Sequence, residues 1–185
     1  MRRETAETVL DFWLRDVGPK GWYTQDADRD AAIVHRFRPV WEQARTGALQ
    51  HWEKTPPSAL ALLIVLDQFP RNMFRGDARA YATDPLALWT AYRAIAEGHD
   101  VATAEPERQF FYLPLMHSEI LADQTHCCAL ISERLRNSET DNLSHAERHR
   151  DVIARFGRFP SRNAALGRSD TDAELSYRAD GGYMG

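Results

Sequence analysis

The chain has 185 residues, 43% of them hydrophobic and 27% charged, with a formal net charge of -4. That length suits one domain around one sizeable core, expected to span residues 1–185, and that mixture excludes a disordered chain. The acidic balance excludes a dedicated nucleic-acid binder, which carries a strongly basic face.

The opening MRRETAETVLDFWLRD has two arginines but no long apolar stretch, so it reads as a helix from Glu4 to Arg15 rather than a signal peptide. Val9, Leu10, Trp13 and Leu14 fall at helical spacing, and Gly18-Pro19 ends the run. Gln25 to Thr46 predicts a longer helix with an Ile33, Phe37, Trp41, Ala44 stripe, stopped by Gly47. Pro39 inside it should kink or break the axis. Thr55 and Pro56-Pro57 look like a cap and first turn for SALALLIVLDQF, apolar on every side and therefore a buried central helix. Its most apolar part, Ala59 to Leu66, is far shorter than the roughly 20 residues of a membrane span, so no membrane partner is expected.

Asp84-Pro85 starts the next helix and Gly98 stops it. Between Glu105 and Asn137 a helical pattern is interrupted by Pro114, which predicts two helices meeting near Leu113. Ser144 to Glu147 and Thr171 to Glu174 each spell a capping box, opening a helix to about Phe156 and a short last one before Gly181-Gly182. Strand alternation is absent. Cys127 and Cys128 are adjacent in a helix, where neighbouring side chains diverge, so no disulfide is expected and a reducing, cytoplasmic location follows. The five tryptophans, Trp13, Trp22, Trp41, Trp52 and Trp89, mostly fall on apolar stripes and read as core rather than as a stacking platform.

The candidate chemistry gathers in a few segments. No phosphate loop, dinucleotide fingerprint or kinase signature is present, so no cofactor is expected. Phe69-Pro70-Arg71-Asn72 with Arg75-Gly76 is echoed by Phe159-Pro160-Ser161-Arg162-Asn163 with Gly167-Arg168. The pair is read either as two helix terminators or as two rigid corners aiming arginine and asparagine at a shared cleft. Arg71, Arg75, Arg108, Arg155, Arg158 and Arg162 lie in segments too apolar for plain solvated faces. Buried guanidinium groups need acceptors, which Asp67, Glu119, Asp123 and Asp84 could supply internally, or which an anionic ligand could supply instead. After Pro114 a continuing helix would set His117, Leu121 and Gln124 on one face. His117 is either a satisfied core histidine or a proton donor and acceptor at a pocket wall, with Glu119 beside it. The spacings His145/His149 and Glu119/Asp123/His126 offer weak metal sets; HAERH lacks the zinc-protease order, and solvated faces are the plainer reading, so no metal is expected.

DQFPRNMFRG, RQFFYLPLMHSE with Gln124, and RFGRFPSRNAALGR follow one another along the chain, and the tail reads ELSYRADGGYMG. In these segments the chain resembles the bacterial family catalogued as domain of unknown function 924, over nearly its whole length. The resemblance implies an all-α fold of antiparallel helix pairs in a curved array like tetratricopeptide repeats, of which RAYATDP is a faint echo. It implies no activity. In that family a histidine is common where Ser161 stands here. The resulting expectation is a concave cleft that binds an anionic small molecule or peptide carboxylate. Its expected lining is Asp67, Arg71, Asn72, Arg75, Arg108, Tyr112, Gln124, Arg158, Arg162 and Asn163. Two alternatives stay open: an enzyme with His117 as general acid or base oriented by Glu119 or Asp67, and a protein whose polar motifs only knit the helices together.

Overall fold

The computed structural model describes residues 4–136 and 141–183, and among them no strand occurs. Asn137, the expected end of one helix, and the last two residues of the tail lie outside the described residues. Thr5 caps α1, Ala6–Leu10, through its hydroxyl and the Thr8 N–H. The chain then winds as a wider π turn, Asp11–Val17, and exits at Gly18, whose φ of 63° suits a residue without Cβ. Asp26 caps α2, Ala27–Arg45, which continues past Pro39 and buries Ile33, Phe37, Val40, Trp41 and Ala44.

The central rod has three parts. Thr55 caps α3, Pro56–Leu63, as the sequence predicts. A π turn, Ile64–Gln68, follows, with the Phe69 N–H reaching back five residues to the Ile64 carbonyl. Then comes α4, Phe69–Met73. Everything from Ala59 to Pro70 is buried. Pro70 has no N–H to offer the Leu66 carbonyl four residues earlier. The Thr83 hydroxyl donates there instead at 2.6 Å and itself accepts from Trp41 Nε1 at 3.2 Å. The rod is thus tied to α2 and to the start of α5, Asp84–Ala96, which ends before Gly98 at φ 74°.

RAYATDP begins in a 3-10 turn, Ala78–Tyr81, and ends in the first residues of α5, so it does not form a helix of its own. Residues Glu107–Phe111 form another 3-10 turn before the one-turn α6, Leu113–Met116, and α7 starts only at Leu121, running to Arg134. The expected continuous helix after Pro114 is therefore interrupted at 117–120. Ser118 Oγ accepts the Ile120 N–H there, satisfying the backbone outside a helix. The Ser144 capping box is also replaced: α8, Asn142–Phe156, begins three residues earlier behind Asp141, so Ser144 already sits in its first turn. Its exit is the left-handed Gly157. Thr171 and Glu174 do form the predicted reciprocal cap of α9, Asp172–Ala179.

Apolar side chains of α1 to α7 share one large core, with Trp13, Phe37, Phe69, Phe110 and Phe111 fully enclosed. Val152, Ile153 and Phe159 start a smaller cluster against Phe156, Tyr177 and Tyr183. Trp89 departs from the core expectation: it stands 61% exposed on the outer face of α5. Cys127 and Cys128 are free and buried. No helix among the described residues is long and apolar enough to cross a membrane.

Candidate functional site

The π turn carries the residue on which the site depends. Asp67 is 1% exposed at the end of the buried rod, and its carboxylate is fully engaged. Oδ2 accepts from Gln68 Nε2 at 2.6 Å, and Oδ1 faces His117 Nδ1 at 2.8 Å and Arg71 at 3.3 Å. Burial alone would push this carboxyl up, but the Arg71 guanidinium and His117 outweigh it and hold the group below the usual carboxylate range. An ionised carboxylate only accepts, so Nδ1 of His117 carries the proton and Nε2 is left as the free, basic nitrogen. Burial and the nearby Arg71 charge, working against Asp67, lower the pKa of His117, keeping the ring neutral near neutral pH.

The break between α6 and α7 is what delivers His117. Gln124 Nε2 donates to the Met116 and Ser118 carbonyls, both at 2.6 Å, and clamps the corner from inside α7. Asp123 accepts from Ser118 and from Tyr92 at 2.5 Å each. Arg162 NH2 donates to the His117 carbonyl at 2.8 Å from the opposite side.

Arg71 and Arg162, one from each copy of the repeated Phe-Pro motif, meet at one acid. Asp84 accepts two bonds from Arg71, at 2.9 and 3.0 Å, and one from Arg162 at 3.3 Å. The Arg162 guanidinium also lies over the rings of Tyr81 and Phe159, at 4.7 and 4.5 Å. Burial and repulsion from Arg71 lower its pKa. Arg75 pairs with Asp30 at 2.7 Å and reaches Asn72 Oδ1 at 3.0 Å. Each guanidinium in this group therefore already has a carboxylate of the protein's own.

These groups border a cavity of about 660 Å³, lined by the apolar Trp22, Leu113 and Met116 and by the polar Arg71, Asn72, Arg75 and His117. A second lobe of about 370 Å³ shares Arg71, Arg75 and His117 and adds Tyr81, Ser161 and Arg162. His149 borders both lobes. Its Nδ1 donates to the His145 carbonyl at 2.8 Å, which again leaves Nε2 free. Burial, together with the nearby His117, Arg162 and His145 and against that hydrogen bond, lowers its pKa to about 4. The His117 and His149 ring centres are 6.4 Å apart.

Of the residues anticipated from the sequence, Asp67, Arg71, Asn72, Arg75, His117 and Arg162 come together here. The others are placed elsewhere. Tyr112 is buried against Asp100, and Arg108 donates to the Thr103 and Arg134 carbonyls. Gln124 acts from behind the corner. Arg158 is paired with Glu174, and Asn163 bonds Asp170. Glu119 turns away from His117: it takes both arms of Arg168 and the Phe159 N–H, which lower its pKa against a partial burial that raises it, and so fixes the second corner. Arg155 stacks on Phe156 and Tyr177. His149, Gln68, Trp22 and Tyr183 were not anticipated as part of the cleft. His149 had a signal: with Ala146, Val152 and Ile153 it lies on the buried stripe of α8. Among the described residues, no three or more His, Cys, Asp and Glu side chains gather as a metal site.

Residues 9–182 match the family described as bacterial protein of unknown function, DUF924. The chain belongs to that family. A solved structure of a protein of unknown function from Agrobacterium tumefaciens is similar to it, at 45% identity and a TM-score of 0.89 over 95% of this chain and 97% of that one. No curated protein matches the chain.

Proposed function

We propose that the two-lobed cleft binds a small organic anion, a carboxylate-bearing metabolite or a peptide C-terminus. The apolar part of the ligand lies on Trp22, Leu113 and Met116, and its carboxylate lies toward Arg75, Arg162 and the two histidines. The observation that carries this reading is the cavity itself. Its volume falls in the range of small-molecule sites, and polar groups from distant chain segments line it together. Because Asp67 and Asp84 already balance Arg71 and Arg162, the ligand competes for donors rather than neutralising a bare charge. Its affinity is accordingly modest.

In this reading the scaffold is a single helical domain, its helices stacked as antiparallel pairs of a curved array with the cleft on the concave side, and it works in the cytoplasm without nucleic-acid or membrane partners. A second reading is favoured by one geometry: Asp67 holds His117, whose ring borders the cavity, in the tautomer that leaves Nε2 unprotonated, the arrangement of an oriented general base. Under it, bound ligand exchanges a proton with His117.

The test is a thermal-shift and calorimetric screen, in chelator, of di- and tricarboxylates and of peptides with free or amidated C-termini. Ligands with a free carboxylate should raise the melting temperature, and Arg75→Ala and Arg162→Ala should weaken them about tenfold or more, the scale of a lost charge-assisted hydrogen bond. Equal affinity for amidated peptides, or unchanged affinity in both variants, would remove the anion-binding reading. Proton exchange at His117 is read separately, as turnover of a bound ligand that His117→Gln abolishes.

A further inference from the structure

We propose that His117 and His149 together hold a divalent transition-metal ion in the cleft, with its remaining positions open to water or to a ligand carboxylate. Two imidazoles from elements far apart in sequence, the corner after α6 and the middle of α8, border the same two cavity lobes. In each ring Nδ1 is already committed as a donor at 2.8 Å, to the Asp67 carboxylate for His117 and to the His145 carbonyl for His149. That is the outer-shell arrangement that fixes a metal-binding imidazole and raises its basicity, and it leaves both Nε2 atoms for the ion.

The spacing is close to what one ion requires. With metal–nitrogen bonds of about 2.1 Å, two rings sharing an ion have centres about 5 to 6 Å apart. The observed 6.4 Å closes to that by a movement of about 1 Å, within reach of side-chain rotation. The surrounding charge permits it: Asp67 and Asp84 offset Arg71 and Arg162. Imidazole donors with no thiolate and open positions suit zinc, nickel or cobalt rather than magnesium or calcium. With two protein ligands the ion is exchangeable rather than structural.

The inference deepens the anion-binding reading by supplying the positive charge that the self-neutralised arginines lack. A metal on Nε2 of His117 also excludes proton transfer by that nitrogen, so the two uses of His117 are separable. The chain, stripped with chelator and dialysed, is titrated with cobalt(II) and zinc(II), followed by visible absorption and calorimetry. One ion per chain should bind saturably, and His117→Gln and His149→Gln should each weaken it by about tenfold or more. His35→Gln, on the exposed side of α2 and away from the cleft, should not. Near-ultraviolet circular dichroism checks each fold; should His117→Gln not fold, His149→Gln carries the test. Absence of saturable binding overturns the proposal. So does affinity unchanged in His149→Gln, or lost in His35→Gln while His117→Gln keeps it. The carboxylate screen in chelator is indifferent to all three outcomes.

Discussion

Two buried carboxylates, Asp67 and Asp100, are built from the same parts and do different things. Asp67 binds an arginine, an amide and an imidazole; Asp100, fully buried, takes the Tyr112 hydroxyl and Arg134 NH1 on one oxygen at 2.7 Å each. Around Asp100 the far end of the partner is closed, because Tyr112 is itself fully enclosed and burial, then Asp100, push its phenol well above the ordinary value. Around Asp67 the partner is His117, whose ring keeps an unprotonated nitrogen and borders a cavity. A buried charge with a polar partner is thus no sign of a site; what distinguishes the two clusters is whether that partner borders a void.

The contrast can be broken most directly at its closed half. Asp100→Ala leaves the buried Tyr112 hydroxyl and the half-buried Arg134 without their acceptor and should cost about 3 kcal/mol in chemical denaturation. A loss under about 1 kcal/mol would mean that the Asp100 cluster is not the structural tie described here.

The open half should differ in its response to acid. A histidine whose folded pKa lies below its unfolded value loses stability as pH falls, because the unfolded chain takes up the proton first. For His149 the window runs from about 6.5 down to about 4, where it costs the fold about 3 kcal/mol. His117, also lowered, and Asp67, whose depressed pKa acts in the same direction at lower pH, add to it. In metal-free buffer, His149→Gln should flatten the decline in unfolding free energy across that window by about 2 kcal/mol or more. Parallel curves for variant and parent would place the acid sensitivity elsewhere.

The smallest effect tests the frame that presents Asp67. Thr83→Val removes the hydroxyl that answers the Leu66 carbonyl released by Pro70. It should cost about 1 to 3 kcal/mol, since a buried acceptor is left unmet. An unaltered midpoint would show that the carbonyl finds another donor.

How much of this could be read beforehand follows from which signals are local. Thr55 and the Thr171 box mark helix starts through bonds made within a turn, and Asp84-Pro85 through the fixed φ of proline, and each stands where the sequence puts it. The π turn at Ile64–Gln68 leaves no such mark, because a buried apolar run looks alike at either pitch. The break at 117–120 contains neither glycine nor proline. It is enforced by Gln124 and Arg162 from other elements, so a continuous helix was the natural expectation. The convergence of Arg71 and Arg162 was legible as a repeated motif, but their common partner Asp84 makes that meeting self-neutralising, which spacing alone does not reveal. Trp89 shows the converse limit: a large apolar side chain on a helix does not declare its face.

The walls of the cleft are drawn from Trp22 at one end of the chain to Tyr183 near the other, with the central rod, the α6 corner and α8 between them. No contiguous fragment contains that enclosure, and sequence-distant surfaces must meet before any of it exists. Occupancy is consequently a property of the finished chain: a nascent or clipped polypeptide has nothing to fill, and a bound molecule would hold both ends of the sequence in one cooperative unit.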